Sequence, residues 1–284
     1  MDNFSNSNQE YNSLVDQYSH QDLRDLNRMV FGHTLYLCSS DKELEDSIRY
    51  SKEKQVLVLS NESMSVQQDG PSTNVEVINC SSLKAAIPYK DKKVAVLNFA
   101  NNHHMGGAPA TANAQEEQIC RKSTLFPCLK AMTKLFYIAH QIAYEKGELD
   151  NIGNDDLIYT HDVVVFKEDT SLPYMLEKED WYKVDIITSA APQCYYNQDI
   201  DMDIYRSRIK KILEVAKLNK VEVLILGAWG CGAFHNDPHK VAQAFKEMLA
   251  LYRFEKVVFA IIDRVEGPNS NYSIFKKIIL GKNI

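Results

Sequence analysis

The six residues Val94–Phe99 form an unbroken β-prone run, and nothing else in the chain limits its architecture as strongly. The run lacks the polar alternation of a half-exposed strand, so it predicts a strand covered on both faces of a central sheet. Such a strand needs helices above and below. The pattern before it predicts a short helix over Leu23–Val30, an extended piece over Thr34–Leu37, a charged helix over Asp41–Lys52, and strands over Gln55–Leu59 and Val75–Ile78. After a long loop, Ala100–Asn113, helical stretches are expected over Ala114–Cys120 and Ser123–Glu145, with Pro127 tolerable only in a first turn. A surface loop follows over Gly147–Asp156, then strands over Tyr159–Phe166, Tyr182–Thr188 and Val221–Leu226. A helix over Pro238–Leu251, a strand over Lys256–Ile262 and a helix over Asn271–Ile279 complete the pattern. Strands and helices interleave with no repeat or Pro/Ser-rich linker, which predicts a single α/β domain over residues 21–284 with a mostly parallel or mixed sheet. Residues 1–20 are polar, with neither a basic start nor an apolar h-region, and read as a disordered tail rather than a signal peptide.

Composition narrows the function classes. The net charge of -6 and pI near 5.8 give no global attraction to a phosphate backbone, so duplex nucleic acid is not an expected partner. The apolar run Val257–Ile262 is far shorter than the ~20 residues of a membrane helix, so no membrane association is expected. The six cysteines form no CxxC pair, which suits reduced thiols and a cytoplasmic location, and a monomer is expected. His103-His104 and the His235/His239 pair do not match a helical HExxH pattern, so neither a metal nor another cofactor is expected.

Two loops at strand ends carry the candidate chemistry, because ligands of such sheets bind where strands end. In the first, Gly106 and Gly107 allow backbone amides to close on a phosphate or sugar. Any tight turn uses glycine, so the pair alone is weak. Gln115-Glu116-Glu117 is more informative, since adjacent carboxylates open the next helix. Asn113 to Glu116 fits a capping box, which would make Glu116 structural and leave Glu117, about 100° further round, for chemistry. The helix N-terminus favours ionised carboxylates, whereas burial beside a second carboxylate favours the protonated form.

The second loop is Gly227-Ala228-Trp229-Gly230-Cys231-Gly232-Ala233-Phe234, with Asp237 and Pro238 opening a helix as N-cap and first residue. Its amides suit a diphosphate, with Gly227, Gly230, Cys231, Gly232, Ala233 and Phe234 as candidate contacts. The lysine and Ser/Thr of a Walker A loop are missing, and the spacing is not GxGxxG in a first βα turn, which disfavours kinase, GTPase and dehydrogenase readings. Cys231 has no histidine placed beside it by sequence and fits a packed turn better than a nucleophile.

With both loops in view, the chain resembles the bacterial-type poly(ADP-ribose) glycohydrolases, whose signature is a triple glycine followed after six to eight residues by Gln-Glu-Glu. Gly106-Gly107-Ala108, a six-residue gap and Gln115-Glu116-Glu117 stand at those places. The similarity continues through VAVLNFAN, CRKSTLFPCL, THDVVVFKED, YKVDIITSAAP, LILGAWGCGAFHNDP and FEKVVFAIID, and covers roughly residues 20–280. The resemblance implies a macrodomain-like three-layer α/β/α sandwich with a mixed central sheet, binding ADP-ribose or poly(ADP-ribose) on modified proteins. It implies Glu117 as the catalytic glutamate, Glu116 as the carboxylate holding the ribose at the scissile bond, and Asn98 and Asn101 in the stretch orienting that ribose. It places Gly230, Cys231 and Gly232 at the diphosphate and Phe234 near the distal ribose.

The implied activity is exo-type cleavage of the ribose–ribose bond, with one glutamate serving as general acid and then base. One departure bears on it. Ala108 stands where a third glycine is expected, and at positive φ an alanine would be strained by ~1 kcal/mol. Two alternatives follow: a hydrolase of mono-ADP-ribosylated protein or nucleic acid, and a reader that binds ADP-ribose without turnover.

Overall fold

The computed structural model describes residues 3–66, 72–194, 198–263 and 267–281. Three helices come first, α1 (Asn3–Ser19), α2 (Leu23–Ser40) and α3 (Lys42–Lys54). They are followed by β1 (Val56–Val58), β2 (Asn74–Ile78), a short α4 (Ser82–Ala86) and β3 (Val94–Phe99). Next come α5 (Gln115–Lys122), α6 (Leu125–Ala131), a π-helical turn (Thr133–Ile138) and α7 (Ala139–Glu145). The strands β4 (Leu157–Val165) and β5 (Tyr182–Ser189) lead to α8 (Met202–Leu218), β6 (Val223–Leu226), α9 (Pro238–Leu249), β7 (Lys256–Ala260) and α10 (Asn271–Leu280). None of the described helices is long and apolar enough to cross a membrane.

The sheet has the order β1-β4-β5-β3-β6-β7-β2. It is mixed: β4 runs antiparallel to both β1 and β5, and every other pairing is parallel. At its centre β3 is buried as its apolar run requires, and the period of two divides its side chains between two cores. Ala95 and Leu97 pack with Ile209 of α8 and Phe245 of α9, whereas Val94 and Val96 pack with Ile119 of α5 and Leu129 of α6. Helices therefore cover both faces, giving the three-layer α/β/α sandwich expected. Because β3 and β6 are parallel neighbours, their carboxyl ends at Phe99 and Leu226 lie on one edge of the sheet, and both candidate loops start there.

Three expectations are corrected. The tail over residues 1–20 is helical from Asn3 to Ser19, with Tyr11 and Val15 buried one turn apart. Tyr11 donates to the carbonyl of Pro173 at 2.8 Å and stacks on His33 with centroids 3.9 Å apart, so two anchors order a segment whose mean polarity suggested otherwise. The extended piece at Thr34–Leu37 is part of α2, because Leu26, Val30, Thr34 and Leu37 repeat at helical spacing toward the core. The helix expected over Ser123–Glu145 starts at Leu125, with Pro127 in its first turn, and is interrupted by the π-helical turn. The helices α4 and α8 were not foreseen. Asp201, which caps α8 by accepting from the Asp203 amide, and the buried spacing of Tyr205, Ile209, Ile212 and Ala216 were the available signals.

Candidate active site

The first loop is held to the sheet by the residues that open α5. Gln115 accepts from the amide of Phe99 at 2.8 Å and donates to the carbonyl of Leu97 at 2.7 Å and the hydroxyl of Ser82 at 3.0 Å. Its amide thus fixes the helix start against β3. The capping box does not form: Ala114 is the N-cap, and the Asn113 side chain is engaged instead by Gln118 at 2.7 Å and Arg121 at 2.6 Å. Glu116 turns toward the sheet, where its Oε1 accepts from Asn98 at 3.1 Å and its Oε2 from the Asn101 amide at 2.9 Å. Asn101 in turn accepts from the amides of His103 and His104, which sets the course of the loop.

Glu117 lies against the glycines. Its Oε1 accepts from the Ala108 amide at 3.1 Å, and its Oε2 is buried without a hydrogen-bond partner. Gly107, at φ +67°, is what lets the chain pass so close: a Cβ there would stand 2.1 Å from Glu117 Oε1 and 3.5 Å from Glu116 Oε2. Both carboxylates therefore converge on one glycine. Ala108 is not among the described non-glycine residues with positive φ, which are Asp162, Lys220 and His235. The alanine in place of a third glycine carries no left-handed strain.

Burial pushes the Glu116 carboxyl up to about 8, with Glu117 adding to the rise and the two asparagine contacts opposing it. The folded chain consequently holds a proton that the unfolded chain releases above the ordinary value of 4.5. This contribution to stability is complete below that value and is lost as pH rises through about 8. Glu116→Gln removes the titration, so its thermal midpoint is expected to fall less than the wild type's between pH 5 and pH 9. Parallel pH dependences of the two midpoints would contradict the assignment.

The second loop faces the first. Gly230 has φ +76°, and a Cβ on it would meet both Ala191 Cβ and Asn236 Nδ2 at 2.5 Å. Asn236 fastens this turn, donating to the carbonyls of Pro192 at 2.7 Å and Gly230 at 3.0 Å while accepting from Tyr205 at 2.6 Å. Trp229, fully buried, donates to the carbonyl of Ser189 at 3.0 Å and ties the loop to the end of β5. Burial raises the Cys231 thiol far from the thiolate form, so the side chain suits packing and not nucleophilic attack. Among the described residues, no group of three or more His, Cys, Asp or Glu side chains could hold a metal ion.

One cavity of about 730 Å³ lies between the loops. Asn101, Gly107, Gln115, Glu116 and Glu117 form one side of its wall, and Gly230, Gly232, Ala233 and Phe234 form another. The remaining expected residues stand behind that wall. Asn98 holds Glu116, Ala108 holds Glu117, Gly106 packs against Phe126, Gly227 packs against Phe99 and the carbonyl of Ala260, and the Cys231 thiol donates to the carbonyl of Trp229 at 3.6 Å. The cavity also reaches residues that sequence reasoning missed: Asn27 of α2, Arg121 and Lys122 of α5, and Asp169 with its neighbours. Lys122 and Asp169 form a buried ion pair at 2.6 Å. Basic residues in a last helical turn are so common that neither carried a signal.

A family model described as the microbial-type PARG catalytic domain, PARG being poly(ADP-ribose) glycohydrolase, matches residues 28–168. A crystal structure of the enzyme from Thermomonospora curvata superposes with a TM-score of 0.77 at 28% identity, covering 89% of this chain and 98% of that one. The same enzyme bound to the inhibitor ADP-HPD gives 0.75 at 28% identity, covering 88% and 98%. The Deinococcus radiodurans enzyme in complex with ADP-ribose gives 0.70 at 27% identity, covering 82% and 97%. No curated protein sequence matches the chain. The family model spans the first loop, the superposed structures cover 82–89% of the chain, and the fold agrees with both. The chain belongs to the microbial-type poly(ADP-ribose) glycohydrolase family.

Proposed function

We propose that this chain is a poly(ADP-ribose) glycohydrolase that removes ADP-ribose from the free end of the polymer by hydrolysing the ribose–ribose bond, with Glu117 as general acid and then general base. The observation that carries this reading is the Oε2 atom of Glu117, buried and without a hydrogen-bond partner beside a cavity whose wall includes the glycine loop. A buried polar atom left unpaired is unfavourable, and a ligand that completes its bonding relieves that cost.

The amides from Gly230 to Phe234 would receive the diphosphate, and Phe234 would pack near the distal ribose. Glu116, held by Asn98 and the Asn101 amide, would accept from that ribose and keep its anomeric carbon toward Glu117. Burial pushes Glu116 up to about 8, so this carboxyl keeps a proton near neutral pH. Glu117 gives a proton to the leaving oxygen as the anomeric C–O bond breaks, and the nearby diphosphate stabilises the oxocarbenium ion. The carboxylate then takes a proton from the attacking water, which restores the starting state.

Incubation with end-labelled polymer tests the reading. Free ADP-ribose released from the earliest times, while long chains persist, is expected. Short oligomers would instead assign internal cleavage, and intact polymer alongside processed mono-ADP-ribosylated protein or nucleic acid would assign the other hydrolase class. Tight ADP-ribose binding with no cleavage of any substrate would assign a reader. Support for a reader rested on strain at Ala108, and residue 108 lies outside the positive-φ region.

The glycine loop gives a separate expectation for binding. Gly230→Ala adds left-handed strain and two contacts at 2.5 Å. Its ADP-ribose affinity is expected to fall by about tenfold or more, the equivalent of ~1.4 kcal/mol, measured by calorimetry. Unchanged affinity would remove this loop from the ligand site.

A further inference from the structure

Arg121 lies one helical turn beyond Glu117 on α5 and is only 2% exposed, yet among the described residues no carboxylate accepts from it. Its Nη1 donates to the carbonyls of Pro109 and Ala112, both at 2.7 Å, and its Nη2 donates to Asn113 Oδ1 at 2.6 Å. All three acceptors belong to the segment between Gly107 and α5, the segment whose Ala108 amide holds Glu117. That segment is a tight turn in its own right, since the amides of Thr111 and Ala112 both donate to the Ala108 carbonyl at 2.9 Å. Asn27 of α2 adds a longer bond to the Ala112 carbonyl at 3.4 Å. From the other side, the hydroxyl of Thr34 bonds to the Arg121 carbonyl and accepts from the buried amine of Lys167 at 2.7 Å. The guanidinium and the backbone of residue 121 are therefore both fixed.

A buried guanidinium is unfavourable unless its donors are filled and its charge is compensated. Backbone and amide oxygens fill the donors here. When Glu117 is ionised, its charge opposes the fall that burial imposes on the guanidinium. A lysine could not reproduce this arrangement, because the planar fork reaches several acceptors at once and an ammonium on a flexible stem does not.

We propose that Arg121 is a positioning residue for the Glu117 carboxyl: by bonding Pro109, Ala112 and Asn113 it fixes the segment whose Ala108 amide holds Glu117. This rests on the reading of Glu117 as the acid and base. Arg121 also lies in the cavity wall, so a small cation can enter the space its side chain would leave.

Arg121→Ala and Arg121→Lys test it in the full chain. In Arg121→Ala, kcat on polymer is expected to fall by about a hundredfold, the scale of a misplaced catalytic group, with the ADP-ribose Kd changed by less than about threefold. Millimolar guanidinium is expected to restore part of the activity of this variant and none in the wild type, a response that a purely structural role would not give. Amide hydrogen exchange at Ala108, Thr111 and Ala112 is expected to quicken in both variants. Exchange needs no substrate, so it decides on the positioning role even if the wild type proves inert on polymer and the functional reading falls. Should Arg121→Ala fail to fold, Arg121→Lys carries the same measurements, since it keeps the charge and loses the fork. Unchanged exchange at these amides, a kcat within about threefold of wild type, or an equal loss of affinity and rate without guanidinium rescue would overturn it.

Discussion

Glu117→Gln is expected to slow polymer cleavage by about a thousandfold while leaving ADP-ribose affinity within about threefold of wild type. Glutamine keeps the volume of the side chain and an oxygen to accept from the Ala108 amide, so the 3.1 Å contact that orients the group can survive. What it loses is the buried Oε2, replaced by an amide nitrogen that can neither give nor take a proton at neutral pH. Positioned proton transfer contributes about a hundredfold to ten-thousandfold, and the same carboxyl serves both halves of the cycle. Single-turnover cleavage of labelled polymer measures the rate, and calorimetry with ADP-ribose measures the affinity. A variant that cleaves within about tenfold of wild type would move the acid and base elsewhere.

Gly107→Ala is expected to be nearly as damaging although it leaves every acidic side chain in place. The added Cβ would stand 2.1 Å from Glu117 Oε1 at a backbone φ of +67°, so the loop or the carboxylate must shift. A displacement of about 1 Å at a catalytic group is enough to lower kcat by about a hundredfold. The left-handed conformation adds ~1 kcal/mol of strain, which lowers the thermal midpoint by a few degrees. Gly147→Ala, outside the cavity wall, is the matched control, because its φ of +71° carries the same left-handed strain while nothing lies within 4 Å of a Cβ there. Steady-state kinetics on both variants should separate them widely, and similar losses in the two would mean that the glycines matter for flexibility and not for close approach.

The parts of the molecule that were legible in the sequence are those decided by local pattern. Val94–Phe99 coincides with β3 to the residue, because a strand buried on both faces must be apolar almost throughout. The two loops were found for a related reason: glycines clustered after a strand mark places where backbones approach closely. The capping role open to Glu116 fails although Asn113 to Glu116 satisfies a local rule, because the side chain binds Asn98 and the Asn101 amide, 18 and 15 positions earlier. Competition of this kind between a local motif and a distant partner is invisible in one sequence. Arg121 was missed for the same reason, since the last turn of a helix is an ordinary place for a basic residue until the loop it binds is seen. Helix α1 was hidden by its polar average, which conceals Tyr11 and Val15 as buried anchors.

Between fold and chemistry the link is the edge of the sheet where β3 and β6 end side by side. It brings a helix that presents a carboxyl opposite a loop that presents amides, across a cavity of about 730 Å³. A crystal structure with ADP-ribose bound measures that arrangement directly. The diphosphate is expected on the amides of Gly230 to Phe234, with the anomeric carbon of the distal ribose within about 4 Å of Glu117 Oε2. A nucleotide seated the other way round, with its ribose out of reach of Glu117, or a cavity that stays empty at saturating ligand, would contradict it.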